Sequence, residues 1–151
     1  VREGRAISTS FQVTFDCGDP DRLATFWAEV LRYRIPEPPE GHATWEEFLA
    51  KAGVPEDDWN SMSAVEDPNG VGPRVLFQRV PEAKQVKNRV HLDVNVGGGR
   101  GTPLEERRAR VDADVERVTG LGATVVRPGE VQRGEYWVVL QDPEGNEFCL
   151  Q

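Results

Sequence analysis

YWVVLQDPEGNEFCLQ, residues 136–151, reads as a β-hairpin. The apolar run Trp137 to Leu140 breaks at Asp142-Pro143-Glu144-Gly145-Asn146 and resumes as Phe148-Cys149-Leu150. Proline fixes φ and removes a backbone donor, and glycine accepts the positive φ that such a turn requires. The stretch has an echo half a chain earlier, where Val65-Glu66-Asp67-Pro68-Asn69-Gly70 leads into Val75-Leu76-Phe77-Gln78. Two Asp-Pro-x-Gly turns so placed predict two copies of one unit.

Outward from the turns, each copy opens on an alternating strand. In Phe11 to Asp16 (FQVTFD), Phe11, Val13 and Phe15 face one side and Gln12, Thr14 and Asp16 the other. Asp19 reads as a helix N-cap with Pro20 at the first helical position, and Leu23, Phe26, Trp27, Val30 and Leu31 follow at helical spacing. Pro36, Pro38 and Pro39 then forbid a regular element. Residues 37–60 are expected to be an insertion forming a flap, with a short helix over Trp45 to Ala52 capped by Thr44 and ended by Gly53. Ser61 to Glu66 and Arg74 to Val80 make the first hairpin.

Residues 81–88 link the copies. Arg89 to Asn95 (RVHLDVN) alternates again, with Val90, Leu92 and Val94 one way and His91, Asp93 and Asn95 the other. Val111, Val115 and Val118 predict a helix over Leu104 to Leu121. Ala123 to Val126 is expected as a strand and Pro128 to Gly134 as a turn before the closing hairpin. The glycines at 97–99 and 101 lack the spacing and context of a phosphate-binding loop. The expected class is α+β: a tail or expression remnant over 1–10, one unit over 11–80 and another over 89–151.

Composition narrows the function classes. A hydrophobic fraction of 38% with 29% charged residues fits a folded, soluble chain. The net charge of −8 argues against nucleic acid, which requires clustered Lys and Arg. No apolar run is long enough to span a membrane, and with cysteine usage that gives no sign of an oxidising compartment a cytoplasmic setting is the default expectation. Two cysteines make no disulfide framework.

Strand, helix and strands ending in the Asp-Pro-x-Gly hairpin, twice over, resemble the vicinal oxygen chelate superfamily. The resemblance rests on DPDRLATFWAEVL after the first strand, FQRVPEAKQVKNRVHLDV at the junction and the ending DPEGNEFCL, and it covers Phe11 to Gln151. It is nearest the glyoxalase-like branch; glyoxalase I, extradiol dioxygenases and bleomycin-resistance proteins are members. It implies two tandem βαβββ modules whose strands form a curled mixed sheet around a shared cleft, with dimers common. Metal-dependent members take ligands from the first and last strand of each module. Those positions carry over to Gln12, His91, Cys149 and either Gln78 or Phe77; matching Phe77 with Phe148 selects Gln78.

This set departs from the superfamily pattern, because Cys149 stands where a metal-using member supplies a carboxylate. Amide oxygens are weak ligands for hard divalent ions, and a thiolate suits them poorly. The expectation is therefore a cleft without a classical metal centre and without a cofactor. Trp45, Trp59 and Trp137 join Gln12, Gln78, His91 and Cys149 as ligand contacts, and the ligand is a small aromatic or cationic molecule. The alternative is a metal-dependent lyase, isomerase or dioxygenase, with His91, Gln12 and Cys149 on the ion and Glu147 or Asp93 as general base. Structural readings stand beside these: His91 as a hydrogen-bonded strand residue, Cys149 as a small buried hydrophobe, Trp27 as core. Glu56-Asp57-Asp58 reads as a solvated face, His42 as a loop residue, and a homodimer is expected.

Overall fold

The computed structural model describes residues 9–151, so most of the expected tail lies outside the described residues. The first module runs β1 (Val13–Cys17), α1 (Pro20–Leu31), α2 (Trp45–Lys51), a 3-10 turn (Glu56–Asp58), β2 (Met62–Val65) and β3 (Val75–Arg79). The second runs β4 (Asp93–Val94), α3 (Leu104–Gly120), β5 (Thr124–Gln132), β6 (Glu135–Gln141) and β7 (Glu147–Leu150). The α+β class holds.

Strand pairing displays the repeat. β1 lies parallel to β3, which is antiparallel to β2; β4 lies parallel to β7, which is antiparallel to β6. The strands form two mixed sheets, ordered β1-β3-β2 and β4-β7-β6-β5, that do not join. The place of β5 is taken in the first module by a single antiparallel bridge between Arg34 and Glu66. Pro36, Pro38 and Pro39 follow directly, and without their N–H donors no ladder propagates. The chain goes instead into the insertion, where Thr44 caps α2 by accepting from the Glu47 N–H at 3.1 Å.

Two expectations are corrected. Pro128 to Gly134 is not a turn: β5 continues to Gln132, with register shifts between Val125 and Arg127 and between Arg127 and Glu130. Proline and glycine are tolerated there because β5 is an edge strand, and the irregularities absorb them. The expected strand over Arg89 to Asn95 shortens to Asp93–Val94. Upstream, the Asn88 N–H bonds to the side-chain carboxylate of Glu147 at 3.0 Å and not to a backbone carbonyl of the sheet.

Helix α1 ties the modules together. Asp19 caps it, Pro20 occupies its first turn, and Arg32 closes it in the left-handed region (φ 56°). Its buried face carries Leu23, Phe26, Trp27 and Val30, each contributing about 1.5–3 kcal/mol by leaving water. The Trp27 ring lies 5.0 Å from Phe148 of the second module and 5.3 Å from Phe15 of the first, so one core serves both. The Trp27 indole Nε1–H donates to Asp142 Oδ2 at 3.0 Å, with both residues buried. Glu144, on the same turn, accepts from the Gly18 and Asp19 N–H groups at 2.6 and 3.2 Å. The last hairpin of the chain thus grips the start of its first helix. Among the described residues, no helix is long and apolar enough to cross a membrane.

Candidate functional site

The two Asp-Pro turns are built alike, which fixes the equivalence between modules. Asp67 accepts from the Asn69, Val71 and Gly72 N–H groups at 2.8, 3.1 and 2.8 Å. Asp142 accepts from the Glu144 and Asn146 N–H groups at 2.9 and 3.0 Å. Three residues before each aspartate stand Ala64 and Val139. Pairing carries Ala64 to Leu76 and on to Thr14, and it carries Val139 to Cys149 and on to Asp93. Two residues before Thr14 and Asp93 come Gln12 and His91. Gln12, Thr14 and Leu76 are therefore the counterparts of His91, Asp93 and Cys149.

This register corrects the matching of Phe77 with Phe148. The first turn is two residues longer than the second, so Leu76, not Gln78, stands opposite Cys149 in the repeat. Gln78 lies on the same side of the sheet as Leu76 and donates through Nε2 to Asp16 Oδ1 at 3.4 Å. Gln12 accepts from Arg74 Nη1 at 2.7 Å. Trp45 and Trp59 donate their indole N–H groups to backbone carbonyls at or beside the insertion, of Pro36 at 2.8 Å and of Val54 at 2.9 Å. Among the seven expected contacts, then, Gln12, Gln78, Trp45 and Trp59 make these bonds within the first module.

The other three share one face of the second sheet. Along β6, Tyr136, Val138 and Leu140 are buried, while Trp137 and Val139 alternate with them toward the open side. Val139 pairs with Cys149 and Cys149 with Asp93, and His91 lies two residues upstream of Asp93, just outside β4. His91 Nδ1 lies 3.0 Å from Asp93 Oδ1, with both side chains nearly half exposed. Ligand atoms of His91, Asp93 and Cys149 all lie within 4.8 Å of one another. Asp93 belongs with this group as firmly as the other two, and its place on the His91 side of RVHLDVN was the sequence signal for it.

Electrostatics separates the candidates. Burial, reinforced by the neighbouring Asp93 charge, pushes the Cys149 thiol up to about 11. It is protonated at neutral pH and is no ready nucleophile. The Glu147 carboxyl is held below its usual range by the Asn88 N–H and by Lys84, whose Nζ lies 3.3 Å away. Glu147 thus fastens the inter-module link, which leaves Asp93 as the carboxylate beside His91. Two surface cavities lie elsewhere: one of about 250 Å³ by Phe26, Leu121 and Pro143, and one of about 520 Å³ by Arg32, Arg110 and Arg117.

The resemblance implies a divalent ion in metal-using members, and the donor chemistry tests whether one suits this chain. A hard, oxygen-preferring ion would meet a thiol at Cys149 and, in the first module, an apolar Leu76 and an amide already bound to Arg74. That set does not suit it. Imidazole, carboxylate and thiol together suit zinc, whose tetrahedral ligands sit about 3.3–3.8 Å apart given ~2.0–2.3 Å bonds.

A family model described as a glyoxalase-like domain matches residues 12–151. The chain belongs to this family. It is accordingly a member of the vicinal oxygen chelate superfamily, in agreement with its solved neighbours. A glyoxalase/bleomycin resistance protein/dioxygenase family enzyme from Burkholderia phytofirmans superposes with a TM-score of 0.59 at 16% identity, covering 92% of this chain and 94% of that one. A mutant of the fosfomycin resistance protein FosX from Listeria monocytogenes, complexed with Mn(II) and a dihydroxypropylphosphonic acid, gives 0.60 at 14%, covering 97% and 90%. TioX from Micromonospora gives 0.53 at 19%, covering 95% and 97%. At these identities the likeness establishes the fold. Among curated proteins there is no match. This glyoxalase-like chain thus keeps the superfamily architecture, with His91, Asp93 and Cys149 gathered beside its second sheet.

Proposed function

We propose that this glyoxalase-like protein binds a small aromatic or cationic molecule on the open face of its second sheet, without the superfamily's four-ligand hard-metal centre. The observation that carries the reading is the continuity of Trp137, Val139, Cys149, Asp93 and His91 on one side of β6, β7 and β4. An indole and a valine offer a flat apolar bed, and Asp93 at its end offers a counter-charge. The overall charge of −8 favours a cation in the same sense. Closing this face over a ligand requires a second surface, supplied by the first sheet or by a second copy in a homodimer.

Titration with planar aromatic cations such as acridinium dyes, followed by tryptophan fluorescence, tests the reading. Saturable quenching is expected. Trp137→Ala should weaken binding about tenfold or more, while Trp45→Phe and Trp59→Phe leave it unchanged. Quenching that does not saturate, or that survives loss of Trp137, sinks it.

A metal-dependent lyase, isomerase or dioxygenase is the second reading, favoured by the convergence of His91, Asp93 and Cys149. Activity on glutathione thiohemiacetals or catechols that disappears in His91→Ala would establish it over the first.

A further inference from the structure

We propose that His91, Asp93 and Cys149 form a three-ligand centre selective for a borderline-soft divalent ion of the zinc class, with Cys149 setting that selectivity. The centre shares its residues with the proposed ligand face but does not depend on a ligand being bound there.

Three observations support it. The donor atoms already lie within 4.8 Å of one another, so modest side-chain rotations bring them to the spacing of one ion. Asp93 and Cys149 are paired partners on the adjacent strands β4 and β7, and His91 lies two residues before Asp93, just outside β4. Backbone register therefore fixes two of the three donors, and a 3.0 Å contact between His91 Nδ1 and Asp93 Oδ1 ties the third to them. The types are also complementary, one nitrogen, one oxygen and one sulfur. Thiolate ligation favours zinc, cobalt or cadmium over manganese or magnesium. Among the described residues this is the one group of three such donors.

The first module sharpens the point. Its equivalents are Gln12, Thr14 and Leu76, which offer an amide, a hydroxyl and an apolar chain. A four-ligand site shared by both modules is therefore replaced by one built within the second. When the ion binds, the Cys149 S–H bond breaks, the sulfur lone pair goes to the metal and the proton leaves to solvent. Neither oxidation nor reduction is involved.

The full chain, stripped with a chelator and desalted, should take up one equivalent of Co²⁺ with a strong near-ultraviolet thiolate-to-cobalt charge-transfer band. Zn²⁺ should displace the cobalt; Mn²⁺ and Mg²⁺ should not. Cys149→Ser keeps the other thiol, Cys17, buried in the core, so loss of the band in this variant assigns it to Cys149. His91→Ala and Asp93→Asn should each weaken binding by roughly tenfold or more, in samples whose circular dichroism matches the parent. Cobalt uptake without the band, equal competition by Mn²⁺, or no retained metal overturns the proposal. Dye quenching measured in chelator separates this from the ligand reading. Quenching with no cobalt band removes the centre alone, and a cobalt band with no quenching removes the ligand reading alone.

Discussion

The two modules share a register and differ in chemistry. Each pairs its first strand parallel to its last and closes its hairpin with a carboxylate-bound Asp-Pro turn. Yet one set of equivalent positions holds Gln12, Thr14 and Leu76, and the other holds His91, Asp93 and Cys149. The turns differ as well. Asp67 is half-buried and holds only its own turn, while Asp142 is fully buried and also receives the Trp27 indole. A repeat preserves what the backbone needs, strand order and turn geometry. Burial and reactive groups are free to be divided between the copies.

The largest test of that division is Asp142→Ala against Asp67→Ala. The first change strands the buried Trp27 and Asn146 donors and should cost about 3 kcal/mol in urea unfolding. The second breaks turn bonds that water replaces and should cost about 1 kcal/mol. Equal costs would mean that the indole contact contributes nothing.

Next is the thiol. In metal-free protein, Cys149 should react with iodoacetamide slowly at pH 7 and faster as pH rises toward about 11. Asp93→Asn removes the neighbouring negative charge and should speed the neutral-pH reaction about tenfold. An unchanged rate would show that burial alone holds the thiol up.

Glu147 gives a smaller effect with a defined sign. Its folded-state pKa lies below its unfolded value, so its contribution is present above the ordinary carboxylate range and is lost as pH falls through the folded value. Glu147→Gln should cost about 1 kcal/mol at pH 7 and flatten the acid limb of the stability curve below pH ~4.5. A variant whose acid limb matches the parent would argue against it. Smallest is Arg34→Ala, which loses an exposed ion pair with Glu66 at 2.9 Å and should cost under about 1 kcal/mol. A larger loss in thermal denaturation would mean that the ion pair supports the backbone bridge between Arg34 and Glu66 and is more than a surface contact.

Legibility in the sequence followed the range of the interactions. α1 and the terminal hairpin were readable because caps, helical spacing and turn residues act over a few positions. β5 was misread at Pro128 and Gly129 because their tolerance comes from lying on a sheet edge, which depends on strand order. The same limit explains Gln78: Phe77 and Phe148 look equivalent along the chain, and only cross-strand pairing shows the two-residue offset. His91 and Cys149 were reachable from their motif positions, Asp93 from alternation. The carbonyls that hold the Trp45 and Trp59 indole N–H groups were not, since composition does not show which acceptor an indole will meet.

The grip of the final turn on α1 also dictates an order of events in time. Trp27 waits for a partner 115 residues further along the chain, and Gly18 for one 126 residues away. Contacts of such separation slow folding, because the intervening chain must be ordered before they form. During synthesis α1 can therefore pack on its own module's strands early, but its indole N–H has no partner until Asp142 has been made.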